Sequence, residues 1–110
     1  MGASQFTRHG HGKTDKEAFR NAYDEAGYEN GHSYSGDLAS KDGYILTTPP
    51  AGISPREWMR MIEDFDPSTA DPKHKAQLSR LFNIYDEKYG PALCIKLDAD
   101  DYIFFGWAPE

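Results

Sequence analysis

The chain contains one cysteine, Cys94, so it cannot form an internal disulfide. Cys94 lies in an apolar run at residues 92–95, where a buried thiol is more common than a reactive nucleophile. The first residues lack the apolar core of a signal peptide. We therefore expect a cytoplasmic protein, in a compartment where thiols stay reduced.

Long apolar runs and clusters of basic residues are also absent. No run approaches the ~20 apolar residues that span a bilayer, so no membrane partner is expected. The net charge is −6, from 18 acidic and 12 basic residues, and the lysines and arginines are dispersed. Because nucleic-acid binders usually present a basic face, we expect no direct nucleic-acid binding. A basic or cationic partner fits this charge better, although −6 is also ordinary for a soluble protein.

The chain does have enough apolar material for one core. Its 110 residues are 38% hydrophobic and 14% aromatic, which excludes a disordered chain. A chain of this length buries roughly two-thirds of the surface that its unfolded form exposes. We therefore expect a single domain over residues 1–110.

Three segments have the start signals and the apolar spacing of helices. Thr14 and Glu17 form a capping box ahead of an apolar stripe, which predicts a helix over residues 15–29. Ser54 and Pro55 begin a second helix, and Pro72 begins a third that continues toward residue 89.

Strands are predicted over residues 3–9, 44–48, 92–97 and 102–107, with a further short strand at 34–39. The order β-α-(β)-β-α-α-β-β predicts an α+β fold, a mostly antiparallel sheet of four or five strands with three helices packed on it. The last strand carries aromatic residues on both faces. This pattern favours core packing and leaves a homodimer or a partner interface as the alternative.

The segment from residue 28 to residue 36 has the composition of a recognition loop. Tyrosine supplies contact area at a low entropic cost, and serine and asparagine supply adaptable hydrogen bonds. The predicted residues that bind a ligand or partner are Tyr28, His32, Ser33, Tyr34 and Ser35, with Lys41 nearby. The alternative is a structural connection in which Tyr28 and Tyr34 fold into the core.

A metal site is a second hypothesis, because four suitable ligands lie within the first 37 residues. His9 and His11 are two residues apart and point the same way if they share a strand. With His32 and Asp37 they could form a zinc site for a small metal-dependent hydrolase. Surface imidazoles are the alternative, and we expect no bound cofactor. Residues 31–35 resemble the nucleophile elbow G-x-S-x-G of hydrolases, but Ser35 stands where the last glycine is required. No catalytic residue is therefore assigned.

Mimicry of nucleic acid is a further hypothesis, in which carboxylates take the place of phosphates. The residues concerned are Asp24, Glu25, Glu63, Asp64 and Asp86. The interspersed lysine and arginine residues argue against a dense acidic face.

Several short motifs together resemble a group of small uncharacterised proteins from phages and bacteria. The shared features are Gly12-Lys13-Thr14 with Ala18-Phe19, Gly31-His32 with Tyr34-Ser35-Gly36, Gly90-Pro91-Ala92 with Cys94-Ile95-Lys96, and Phe104-Phe105-Gly106-Trp107-Ala108. The group has no function to carry over, and the resemblance implies a phage-type origin. It favours a non-catalytic effector in the host cytoplasm, one that occupies the surface of a host or defence protein or sequesters a small ligand.

Overall fold

The computed structural model describes residues 2–30, 36–41 and 43–109. Within them the elements are β1 (Ala3–His11), α1 (Asp15–Asn30), a short 3-10 helix (Leu38–Ser40), β2 (Tyr44–Leu46), α2 (Pro55–Glu63), α3 (Lys75–Asp86), β3 (Ala92–Asp98) and β4 (Asp101–Pro109). The α+β class, the three α-helices and their order along the chain are confirmed.

The sheet of the described residues has four strands in the order β1-β4-β3-β2. β4 is antiparallel to both β1 and β3, whereas β2 and β3 are parallel. The sheet is therefore mixed, which corrects the expectation of a mostly antiparallel one. The reason is the connection from β2 to β3, which passes through α2 and α3 and is long enough for a crossover between parallel strands.

Helices cover both faces of this sheet. Phe104 belongs to the apolar cluster under α1, and Phe105 belongs to the cluster formed with α2 and α3. Both side chains are 0% exposed. Successive residues of a strand point to opposite faces, so the aromatic end of β4 supplies two cores at once. The core interpretation of this segment is confirmed.

A stripe of small residues lets α1 lie close to the sheet. Ala18, Ala22 and Ala26 are spaced by one helical turn and are fully buried. Gly10 of β1 faces this stripe, and a Cβ atom there would lie 2.5 Å from the carbonyl oxygen of Ala18. Glycine at this position therefore fixes how closely helix and strand approach.

Some element bounds differ from the sequence-based ones. The predicted strand at 34–39 is not found in its described part, where residues 38–40 form the 3-10 helix instead; residues 34 and 35 lie outside the described ranges. α3 begins at Lys75, because Asp71 starts a turn in which its carboxylate accepts from the Lys73 amide. Tyr89 lies beyond α3 and is 59% exposed. No helix in the described ranges has the length and apolar character to cross a membrane.

Candidate binding site

The residues predicted to make contacts fall into three groups. Tyr28 is 94% exposed, so the interpretation that places it in the core is wrong. Lys41 is 1% exposed. The remaining predicted contact residues, His32, Ser33, Tyr34 and Ser35, lie outside the part of the chain that the structure describes.

Lys41 is a buried cation that joins two parts of the fold. Its ammonium group donates to the carbonyl oxygens of Glu87 and Lys88, at 3.0 Å each, just beyond the end of α3. Burial lowers the pKa of Lys41 to about 8, although the charge of Glu87 acts in the opposite direction. Lys41 therefore does not contribute to an exposed contact surface as the sequence predicted.

The candidate metal ligands lie on two faces of the sheet. The Nδ1 atoms of His9 and His11 lie 3.5 and 3.6 Å from Oδ1 of Asp101. Asp37 instead contacts Arg8, which points to the opposite face of β1. Among the described residues, no group of three or more histidine, cysteine, aspartate or glutamate side chains is arranged to hold a metal ion. His9, His11 and Asp37 therefore do not converge, and His32 lies outside the described ranges.

The hydrogen-bonding direction of β1 follows from a contact at its end. The amide of Gly12 donates to the carbonyl oxygen of Asp100, which lies directly opposite it in the continued β1–β4 register, at 3.2 Å. In an antiparallel pair, residues alternate between those that bond to the partner strand and those whose N–H and C=O groups point away. The even-numbered residues of β1 therefore bond to β4, and the odd-numbered residues direct their backbone groups to the other side.

Two further contacts agree with this alternation. The carbonyl oxygen of His11, an odd-numbered residue, accepts from the Asn21 side chain of α1 at 2.7 Å. On the far side of the sheet, the amide of Ala92 and the carbonyl of Cys94 bond toward β2, as the same alternation requires of β3. We call the outward-directed backbone groups of Gln5, Thr7 and His9 the β1 edge.

The side chains of β1 alternate in the same way. The odd-numbered residues Gln5, Thr7, His9 and His11 are exposed, while Phe6 and Gly10 are buried beneath α1. No strand of the described residues lies beside the β1 edge, since β1 is the outermost strand of the sheet. An exposed row of donors and acceptors on a regular strand is a surface on which a further strand can pair.

Arg8 gathers three carboxylates next to this edge, and we call the four residues the Arg8 cluster. The guanidinium donates to Asp37 from both Nε and Nη2, the shorter contact being 2.8 Å, and to Glu29 at 2.9 Å and Glu25 at 3.4 Å. The side chains of Arg8 and Asp37 are 16% and 14% exposed, against 69% for Glu25 and 49% for Glu29. One cation among three carboxylates leaves the cluster with a net negative charge.

Local structure explains why these groups meet. Asp37 caps the 3-10 helix by accepting from the Leu38 amide, and the Gly36 amide donates to the carbonyl oxygen of Pro109 at the end of β4. The hydrogen bonds from Arg8 to Asp37, followed by those to Glu29, raise the pKa of Arg8, so it stays charged.

A groove of about 540 Å³ runs along β1 and includes parts of both features. It is lined by β1 residues 5–9 and 11, together with Glu25, Gly36 and Asp37. On α1, Asn21, Glu25 and Tyr28 are spaced by four and three residues, so they follow one stripe of the helix. Because Asn21 and Glu25 both contact β1, this stripe places the exposed Tyr28 ring on the same side of the domain as the groove.

The acidic residues considered for nucleic-acid mimicry are divided between the two faces. Asp24 and Glu25 belong to α1, whereas Glu63 and Asp86 belong to α2 and α3 on the opposite face of the sheet. Glu63 is in addition partly buried, which raises its pKa, and it accepts from the Gln5 side chain. These residues therefore do not form one dense acidic face.

The sequence does contain one signal of this site, since every odd-numbered residue from Gln5 to His11 has a polar side chain. The pairing of Arg8 with Asp37 had no such signal, because the two residues are 29 positions apart in the sequence and meet only in the folded chain. No protein-family model matches the chain, and no curated protein or solved structure matches it either.

Proposed function

We propose that this chain is a non-catalytic binding protein that recognises a protein partner through the face formed by β1 and the adjoining stripe of α1. The observation that carries the proposal is the regular strand β1, whose outer edge no described strand covers, beside a groove of about 540 Å³. Proteins commonly recognise partners by adding an extended segment of the partner to an exposed sheet edge.

The chemistry of the face supports binding more than catalysis. Every charged group of the Arg8 cluster forms an ion pair within the cluster. Such ion pairs stabilise the local structure, whereas a catalytic site needs a group that activates a nucleophile. Tyr28 adds a large exposed ring on the same side of the domain, and tyrosine is enriched among residues that dominate binding energy. The resemblance to phage and bacterial proteins implies a more specific form of this proposal, a phage-type effector that acts on a host or defence protein.

Two matched tyrosine substitutions test the proposal. Tyr28 and Tyr89 are both exposed, and they lie in different parts of the molecule, so replacing either with alanine leaves the core untouched. We expect Tyr28→Ala to reduce the capture of a partner from a bacterial lysate by at least about tenfold, as for a binding hot spot. Tyr89→Ala should capture the same partner as the unaltered protein. Equal capture by both variants would contradict the placement of the contact face.

The second hypothesis, a metal-dependent hydrolase, gains no support from the described residues. His9 and His11 share a face with Asp101, but Asp37 is engaged by Arg8 on the other side. Such a hydrolase would need a third ligand from elsewhere to complete the set of three or four that zinc requires.

A further inference from the structure

We propose that the β1 edge binds by strand addition, and that its occupant is an extended segment of the partner that carries basic side chains. This inference rests on the proposed binding function and names the mode of binding and the chemistry of the partner.

The two edges of the sheet differ in how they resist pairing. β2, at one edge, has three residues, Tyr44–Leu46, and Pro49 and Pro50 follow shortly after it. Short strands and prolines are the usual means by which proteins prevent unwanted pairing at an edge. β1, at the other edge, has nine residues, contains neither proline nor lysine, and keeps a continuous register with β4. The protection found at β2 is therefore missing at β1.

The β1 edge offers what an added strand needs. Each of Gln5, Thr7 and His9 directs one donor and one acceptor outward, and their side chains are exposed. His11 is the exception, because its carbonyl oxygen already accepts from Asn21. A partner strand that pairs along the first part of β1 would therefore leave the Asn21 contact in place, and it would meet no other strand of the described residues.

Charge selects the occupant. Side chains of an added strand that point toward α1 would lie beside the Arg8 cluster, in which the carboxylates of Glu25 and Glu29 are largely exposed. The cluster is negative overall, and the whole chain carries a net charge of −6. Lysine or arginine at alternate positions of the partner complements this charge, whereas acidic side chains are repelled.

A second copy of this chain is a poorer occupant. Antiparallel pairing of two β1 strands about Thr7 would bring two Arg8 clusters to the same face of the joined sheet. Cross-strand neighbours lie about 5–8 Å apart, so two negative clusters would then repel each other. The same charge that attracts a basic strand opposes self-association.

Synthetic heptapeptides of alternating threonine and lysine provide the probe. We expect the lysine peptide to bind the intact protein and to shift the amide NMR signals of Gln5, Thr7 and His9. Two controls separate backbone pairing from charge attraction: the same lysine peptide with N-methylated amides on its pairing side, and a peptide with glutamate in place of lysine. Each control should bind at least about tenfold more weakly, since one lacks the hydrogen bonds and the other the complementary charge.

Substitutions in the protein test the same two requirements. Thr7→Pro removes an outward-directed amide that does not bond to β4. It should weaken binding of the lysine peptide by at least about tenfold, while Thr7→Val should retain binding. The double replacement Glu25→Gln with Glu29→Gln should also weaken binding of the lysine peptide. Asp86→Asn, which changes an exposed carboxylate on α3, serves as the charge control and should have little effect.

Several results would overturn strand addition. Equal binding of the N-methylated peptide would mean that charge alone attracts the probe. Protection of the Gln5, Thr7 and His9 amides from hydrogen exchange in the free protein would mean that the edge is already covered. Self-association that Thr7→Pro abolishes would make a second copy the occupant. If Tyr28→Ala abolishes partner capture but Thr7→Pro does not, the binding function stands and only its strand-addition mode fails.

Discussion

The buried Lys41 ammonium group should make the stability of this protein depend on pH in an unusual direction. Its two hydrogen-bond acceptors are neutral carbonyl oxygens, and its pKa falls from 10.5 to about 8. One pKa unit corresponds to about 1.4 kcal/mol, so the shift amounts to roughly 3 kcal/mol at most. That energy is the cost of keeping the protonated group buried rather than in water.

The sign follows from proton counts. Below pH 8 both the folded and the unfolded chain hold the proton of Lys41, so the folded state bears the full penalty. Between about pH 8 and 10.5 the folded state has released the proton while the unfolded state keeps it. The free energy of unfolding therefore rises with pH across this window, because the unfolded state binds more protons.

The comparison of wild type with Lys41→Met isolates this contribution. Both proteins share the other groups that titrate at alkaline pH, including Cys94, so those effects cancel in the difference. We expect the difference in free energy of unfolding, wild type minus Lys41→Met, to increase by roughly 2–3 kcal/mol between pH 7.5 and 10.5. Urea titrations followed by the fluorescence of the buried Trp58 measure it, and Lys16→Met controls for the loss of a positive charge.

A difference that stays constant across the window would refute the reasoning. It would mean that the carbonyl groups of Glu87 and Lys88 compensate fully for the loss of water. A difference that falls with rising pH would show that the site prefers the protonated amine.

Two other predictions concern the core. Gly10→Ala should lower the free energy of unfolding by about 1–3 kcal/mol, because its Cβ would lie 2.5 Å from the Ala18 carbonyl oxygen and force α1 outward. Gly43→Ala, which meets nothing within 4 Å, is the control in thermal unfolding, and equal melting temperatures would contradict the packing. Cys94 should react with a thiol reagent at pH 8 only as fast as the protein unfolds, since its thiol is fully buried and its pKa is raised to about 12. Rapid labelling without urea would count against this.

Helix starts and core stripes were predictable from the sequence because they depend on near neighbours. The Glu17 amide bonds to the Thr14 hydroxyl, and the Glu57 amide bonds to the Ser54 hydroxyl, each at 3.2 Å, as the capping patterns predict. The parallel pairing of β2 with β3 was not predictable in this way. The side chains of a strand specify which face is buried, whereas the identity of the neighbouring strand depends on the path of the connection.

The candidate site was only partly predictable for the same reason. The exposure of Tyr28 is consistent with the predicted contact segment. The position of Lys41 was unexpected, because its burial depends on carbonyl groups 46 and 47 residues further along the chain. Net charge and composition do not reveal that a particular cation has uncharged partners inside the fold.

The close packing of α1 connects the stability of the domain with its proposed function. Because the residues at the contact between β1 and α1 are glycine and alanine, the helix packs close to the face of the sheet. In that position it brings Glu25 and Glu29 to Arg8. It also covers the face of β1, whereas the outward backbone groups of Gln5, Thr7 and His9 lie beside no strand of the described residues. A larger residue at Gly10 would lift the helix and separate the two glutamates from Arg8. The variant Gly10→Ala should therefore lose affinity for a basic strand even at temperatures where it remains folded.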